Sequence, residues 1–539
     1  MVKFHGYVEY VLSSALPKDS EDMIKGLIDD LNNNVLKRGS KKEEEAAKIL
    51  NYTMRDNILI FEIESGSRVR LHHAALRAKN YLAPKLGKNL KIGIRDVILK
   101  DAIIILDEPL SVSTKLPFVK SVEVQNSTTI VRLEVMKESD IKRPIIDRLL
   151  KLLEAKEKRR KWGGKVEHWR LLKSSAKKEP KFSDDPNIII EEIGWIKRFA
   201  PGQWLYTPPI AHLIRSFEKV FIDNVLKPLG FIEIISPKID PLEIGVKTGH
   251  LKGTPHQMLF ASQPISYNVD DFDEWIDIVS VLDEAPPDEL KKFLKPPTYF
   301  LCFAQCEPFY WFFGNEIIDV KKLPIKWFDR SGPSFRWESG GLRGLERLVE
   351  FHRIEITWMG EPEQVIEIRN KLLERYEHFM DKILDLEWRW AWVTPFYLVH
   401  AGEIEEETAE IDINQPGTID FEVWLPYKGP REDEHAWLEI GNISIHGTKY
   451  SDSFKIHHQS KDKSIWTACS GFGVERWLLS FLAQKGFDPD NWPEILRKSI
   501  TRPPTGVQTV TYPKTQKGKE LLTKIHEYLN KLPKGVDNE

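Results

Sequence analysis

Residues 331–355, SGPSFRWESGGLRGLERLVEFHRIE, carry the densest chemistry in the chain. Arg336 and Glu338 form an Arg-x-Glu pair ahead of a glycine-rich turn. An amphipathic run then carries Arg347, Phe351 and Arg353 to a terminal acid, Glu355. Guanidinium forks grip phosphate or carboxylate oxygens at two points. A cation, an aromatic face and acids at these spacings suit a polyphosphate, a purine ring and a small polar ligand held together. Two blocks flank this one. GFIEIISPKIDP, residues 230–241, is an apolar strand ending at Pro237, which lacks an amide donor and suits an edge or interface. By itself it reads as an ordinary strand with a proline stop. CSGFGVERW, residues 469–477, opens a helix that presents Arg476, and Gly471 and Gly473 let backbone approach a ligand closely.

A fourth segment, WLEIGNISIHG at 437–447, alternates as a strand. Its parity puts Glu439 with Gly441, Ile443 and Ile445, and Asn442 with Ser444 on the other side. Glu439 can share a pocket with Asn442 and Ser444 only if a bulge or strand end falls near Gly441. Before it, Trp388, Trp390 and Trp392 lead into residues 394–409, which read either as a lid or as an ordinary exposed loop after an aromatic strand.

The elements that must hold these residues belong to a chain of 539 residues, long enough for two or three domains. Hydrophobic content of 41% and 17 Trp support packed cores. No run of about 18 uncharged apolar residues implies a membrane span, and the acid-bearing start MVKFHGYVEYVL reads as no secretory signal. Three Cys make a disulfide framework improbable and a reducing cytoplasm the default. Net charge is −3 with 29% charged residues, so a nucleic-acid partner needs a local basic patch.

Residues 1–172 read as an α+β domain, with strands expected at 57–65, 90–99, 102–106, 119–124 and 128–135. Helices are expected at 22–36, 42–54, 72–82 and 138–161. The basic tail KEKRRKWGGK reads either as a solvated helix end or as a phosphate-tracking patch. Residues 173–190, rich in Lys, Ser and Pro, read as a linker. A larger mixed domain spans 191–510, with an acidic helical insertion at about 267–297, and a Lys-rich helix and tail follow at 511–539.

The three blocks, in this order, resemble the motifs of class II aminoacyl-tRNA synthetases: Pro237 in the first, Arg336 and Glu338 in the second, Arg476 after the glycine turn in the third. GLRGLERLVEFHRIE is similar to the seryl-tRNA synthetase form of the second motif. AQCEPFYWFF around Cys306 and WTACSGFG around Cys469 resemble the methanogen-type, archaeal, zinc-dependent seryl-tRNA synthetases. The resemblance spans essentially the whole chain. It implies an α+β fold with a class II antiparallel β-sheet core flanked by helices and a separate N-terminal tRNA-binding domain.

It also implies roles. Cys306, Glu355 and Cys469 would hold one Zn²⁺ per subunit. They form no CxxC knuckle, and isolated cysteines are commonly small buried hydrophobes. Two thiolates and a carboxylate nonetheless leave a fourth tetrahedral position open, the pattern of a catalytic rather than a structural zinc. In the family the serine amino group takes that position. Arg336 would be the catalytic cation at the α-phosphate. Glu338 would face the adenine amino group, Phe351 and Arg476 would sandwich the ring, and Arg347 would touch β- or γ-phosphate unless it is spent in a salt bridge. Glu439 would meet the Mg²⁺ that accompanies ATP. Glu355, Asn442 and Ser444 would bind serine. Cys302 is assigned to core packing.

The implied activity is that of a serine–tRNA ligase in the cytoplasm: a homodimer built through the first motif, with serine, ATP and tRNA(Ser) as partners. Candidate tRNA-phosphate contacts are Arg68, Arg70, Arg77, Lys79, Lys156, Lys158, Arg159, Arg160 and Lys161. Two other readings stay open at this point. One is a class II paralogue loading another amino acid or a carrier protein; the other is a non-catalytic regulator that binds tRNA or nucleotide.

Overall fold

The computed structural model describes residues 2–107, 116–125, 128–161, 169–337, 341–393, 412–499 and 512–531. The chain divides into two compact units, Met1–Lys165 and Val166–Glu539.

In the first unit, period-two patterning builds an antiparallel sheet: β1 (Val2–Leu12), β2 (Ala47–Arg55), β3 (Ile58–Ser65), β4 (Ile94–Leu106), β5 (Val119–Gln125) and β6 (Thr128–Leu133), in the order β2-β3-β1-β4-β6-β5. Helices α1 (Glu21–Asp30), α2 (Leu71–Leu90), α3 (Glu138–Ile141) and α4 (Ile145–Lys161) accompany it. The core gathers Val8, Phe61, Ile63, Leu82, Leu99, Ile146 and Leu150.

Three expectations are corrected here. Residues 42–54 do not form a helix. Ala47 and Ile49 alternate into the core, and β2 pairs with β3 through a hairpin whose turn residue Asp56 takes φ 50°. The two strands expected at 90–99 and 102–106 are one. Helix α2 runs through Leu90 and stops at left-handed Lys91, and β4 then continues past a bulge where Asp101 takes φ 45°. The 138–161 pattern is broken between α3 and α4, where Pro144 lacks an amide proton.

The second unit is organised by one large sheet. Its strands are β7 (Trp169–Ser174), β8 (Ile232–Ile234), β9 (Ile325–Asp329), β10 (Pro333–Phe335), β11 (Glu350–Gly360), β12 (Trp388–Val393), β13 (Gly417–Trp424), β14 (Trp437–Gly447) and β15 (Trp466–Gly473). The order is β8-β9-β11-β15-β14-β13-β12-β7, with β10 paired to β11. Only the β8–β9 pair is parallel. One face is apolar: Ile354, Ile356 and Trp358 of β11 and Phe472 of β15 join one core with Phe217 and Phe221 of α5 (Pro208–Phe221). Tyr376 of α6 (Pro362–His378) and Trp477 of α7 (Val474–Lys485) complete the layer.

The stretch read as a linker is part of this unit. Lys173 and Ser174 are in β7, paired to β12, and Pro186–Glu192 is a helix capped by Asp185. Its Lys and Ser density misleads because those residues are used: Lys178 pairs with Asp381 and Asp385. The 267–297 insertion is helical and largely exposed, with helix Asp273–Leu282 at its centre. In the first block the regular strand covers only Ile232–Ile234; Ile239–Pro241 joins a separate three-stranded sheet beyond Pro237.

Candidate active site

The sheet face turned away from the helices carries a cavity of about 380 Å³. Strand register decides what lines it. Along β11, Arg353 and Glu355 face the cavity while Ile354 and Ile356 face the core, the ordinary alternation of a strand. Across the sheet, Glu355 is opposite Gly471, Gly471 is opposite Asn442, and Asn442 is opposite Asp420. The next row is Thr357, Cys469, Ser444 and Thr418. Gly471 therefore opens a gap between Glu355 and Asn442. A Cβ there would make ordinary van der Waals contact with the site, 3.7 Å from the Glu355 carboxylate and 3.6 Å from Arg353.

The required bulge is present. On β14, Glu439 pairs with Glu422 and Gly441 with Phe421, leaving Ile440 as the extra residue. Ile440 and Ile443 both point to the core, and Glu439, Asn442 and Ser444 all line the cavity. Gly441 lies where the strands crowd: a Cβ there would come within 2.6 Å of the Gly471 carbonyl oxygen.

The metal candidates converge. Cys306 Sγ, Cys469 Sγ and a Glu355 oxygen all lie within 4.8 Å of one another. Glu355 and Cys469 come from adjacent strands. Cys306 arrives as the N-cap of α-helix Glu307–Phe312; the regular strand before it covers only Tyr299–Leu301. A hydrogen bond with Cys469 and burial push the Cys306 thiol up. The same hydrogen bond lowers Cys469, but burial and the Glu355 carboxylate outweigh it and leave that thiol raised. Burial lifts Glu355 to about 7 against the opposing charge of Arg353. Three acids, two of them buried and Cys469 half-buried, resist ionising together, which a bound cation would reverse. Two sulfurs and one oxygen fit zinc, with a coordination position left for a ligand. Cys302 is fully buried and lies outside this group.

The anion side of the cavity holds Arg336, Arg353 and Arg476. The Arg336 guanidinium lies 4.6 Å over the Phe303 ring, and its backbone amide donates to the Val349 carbonyl. Arg353 sits 5.2 Å from the Phe351 ring centroid and 3.4 Å from Glu355. Arg476 donates to the Glu346 and Glu439 carbonyls and meets the Glu439 carboxylate at 3.2 Å. Arg347 is exposed and absent from the lining; it ends a turn in which its amide donates to the Arg343 carbonyl. Glu338 and residues 394–409 lie outside the described residues.

Sequence reasoning missed Thr418, Asp420 and Glu422, which β13 aligns beside β14, and His446, whose Nε2 is 3.5 Å from Cys469 Sγ. The Thr418 and Ser444 hydroxyls are 2.8 Å apart. Strand alternation in TIDFEVW was the available signal for β13, but nothing local said which strand it would pair with.

In the first unit, three tRNA-contact candidates are engaged internally. Arg70 meets Asp147 at 2.5 Å, Arg77 donates to the Arg38 carbonyl at 2.7 Å, and Lys79 meets Glu138 at 2.6 Å. Arg68 is exposed. The side chains of Lys156, Lys158, Arg159, Arg160 and Lys161 lie outside the described residues.

Comparison with known proteins accords with this division. Residues 2–155 match a tRNA-binding domain, and residues 295–485 match the class II tRNA synthetase core domain (G, H, P, S and T). The type-2 serine–tRNA ligase of Methanococcoides burtonii is 41% identical over 498 residues, 92% of this chain and 97% of that protein. The enzyme of the same name from Methanothrix thermoacetophila is 38% identical over 513 residues, 94% of this chain and all of that one. A solved structure of M. kandleri SerRS in complex with A. aeolicus tRNASec has a TM-score of 0.78 at 32% identity, covering 95% of this chain and 100% of that chain.

Proposed function

The chain belongs to the type-2 serine–tRNA ligases, class II synthetases, and we propose that the sheet-face cavity is where it activates serine with ATP before passing it to tRNA(Ser). The observation that supports this assignment is the meeting, in one cavity, of Cys306, Glu355 and Cys469 with Arg336, Phe351 and Arg476. In the first half-reaction a serine carboxylate oxygen attacks the α-phosphorus of ATP and pyrophosphate leaves. In the second, a ribose hydroxyl at the tRNA 3′ end attacks the seryl carbonyl carbon and AMP leaves. No side chain need act as nucleophile; positioning and charge stabilisation carry the rate.

Cys306, Glu355 and Cys469 would hold one Zn²⁺ per subunit. When bound, it would supply a Lewis-acid anchor for the serine amino group. Asn442 and the Ser444–Thr418 hydroxyl pair would present hydrogen-bond partners to the serine hydroxyl. Alanine would leave those groups unpaired, which is costly, whereas threonine differs by one methyl and is excluded by shape at about 1–3 kcal/mol. Arg336 would hold the α-phosphate and offset the charge that develops there. Phe351 and Arg476 would enclose adenine. Glu439, now paired with Arg476, would face the Mg²⁺ that accompanies ATP. Glu338 retains by family likeness its role at the adenine amino group. Arg347, exposed on its turn, reaches phosphate only if that turn closes.

Serine-dependent ATP–pyrophosphate exchange tests the reading. Zinc-loaded protein is expected to exchange with serine, lose exchange on chelation and regain it with zinc. A zinc-loaded protein with no serine-dependent exchange would sink the assignment.

A homodimer through the first block is part of the same reading. Its edge strand β8 and the segment after it expose Ile232, Ile235 and Ile239 at 65%, 85% and 55%. An apolar row on a sheet edge is what an interface covers. Ile235→Asp is expected to convert a dimer to a monomer in sedimentation velocity; an unchanged sedimentation coefficient would remove this face from the interface.

A further inference from the structure

The first unit contains a second group of metal-ligating side chains, made where the starts of two helices meet. His72 and His73 lie in the first turn of α2, and Asp147 lies in the first turn of α4. One oxygen of Asp147 is held by Arg70 at 2.5 Å. The other faces both imidazoles, 3.5 Å from His72 Nε2 and 4.0 Å from His73 Nε2. The two rings are 4.0 Å apart between centroids. The donor atoms of all three side chains lie within 4.8 Å of one another.

His72 points to a ligand. It is 3% exposed, and neither of its ring nitrogens makes a hydrogen bond. Buried polar atoms are seldom left so, because the lost hydration is not replaced. The Asp147 oxygen that also faces His73 stands 3.5 Å from His72 Nε2. Ligand atoms on a tetrahedral zinc stand about 3.3 Å apart for metal–ligand bonds of about 2.0–2.1 Å. The His72 separation of 3.5 Å is close to that, and the His73 separation of 4.0 Å closes by a side-chain adjustment of under an ångström. Two imidazole nitrogens and a carboxylate oxygen suit zinc, cobalt or nickel rather than magnesium or calcium, which take oxygen ligands. Arg70 on the far oxygen is the kind of outer partner that orients a ligating carboxylate.

We propose that His72, His73 and Asp147 form a divalent transition-metal site, zinc class, that staples the start of α2 to the start of α4. The bound ion fixes the relative placement of the helix carrying Arg77 and Lys79 and the helix ending in the basic run. Its role is structural, within the tRNA-binding unit, and separate from the thiolate site. Carrying no thiolate and facing Arg70, it is the weaker of the two sites toward a chelator.

The test counts zinc in the full-length protein after equilibration in zinc-buffered solution. A Cys306→Ser/Cys469→Ser variant is expected to retain one zinc per chain, and adding His73→Ala is expected to remove it. In the otherwise unaltered chain, His73→Ala lowers the zinc count by one while serine-dependent exchange persists, which also shows the variant folded; His73 is 43% exposed and tolerates truncation. Asp147→Asn lowers the count in the same way. With Co²⁺ as probe, the double cysteine variant shows visible d–d absorption without thiolate charge transfer. Either of two results overturns the site: no zinc on the double cysteine variant, or a count unchanged by both His73→Ala and Asp147→Asn.

Discussion

Cys469→Ala is expected to lower serine-dependent pyrophosphate exchange by more than about 100-fold and to abolish stoichiometric zinc retention at the thiolate site. Disturbing only the outer partners of a metal ligand costs 10–100-fold, and this change removes a ligand itself. The side chain sits in the row Thr357–Cys469–Ser444–Thr418, so the loss falls between the metal group and the hydroxyl pair assigned to serine. Alanine fits without steric cost on that strand, and circular dichroism should show the fold retained. Cys306→Ala is expected to match it in zinc loss, because each variant leaves one sulfur and one carboxylate. Metal analysis and exchange kinetics are read on the same preparation. Full exchange in either variant would remove the metal from amino-acid binding.

Arg336→Ala is expected to reduce kcat for exchange by about 10²–10³-fold, the cost of removing one preorganised charge from a developing anion, with zinc retained and the serine KM moved little. The guanidinium lies in the cavity, 4.6 Å over the Phe303 ring, which fixes its plane before substrate arrives. Arg336→Lys keeps the charge but not the two-point fork, and should recover only part of the loss. A kcat near that of the parent for Arg336→Ala would remove this residue from phosphate stabilisation. A raised KM for ATP with unchanged kcat would instead make it a ground-state binder.

Much of the site could be read from order and residue type. Arg336, Phe351, Glu355, Asn442, Ser444, Glu439, Cys306, Cys469 and Arg476 all line the cavity. The arginines and Phe351 were legible from residue type and spacing, and the cysteines, Glu439, Asn442 and Ser444 from the resemblance of their segments to the class II motifs. Arg347 lies near Phe351 in sequence, but the turn through Gly344, at φ 44°, leaves it exposed and outside the cavity lining. Residues 42–54 misled for a different reason. The acidic run at their start favours a helix locally, yet pairing with β3 rewards alternation at Ala47 and Ile49 more than the helix would reward the charges.

The metal and amino-acid roles followed from the resemblance of the blocks to the class II motifs, whereas the residue pattern alone required a bulge for Glu439 to join Asn442 and Ser444. Local patterning suffices for that, since strand parity is a property of consecutive residues. Only the tertiary structure decided where the extra residue falls, at Ile440, and which strands lie side by side. It alone set Gly471 between Glu355 and Asn442, brought Thr418 against Ser444, and joined His72 and His73 to Asp147 from 75 and 74 residues away in the chain. Pairing between distant strands and helices depends on the burial of whole faces, which no short segment encodes.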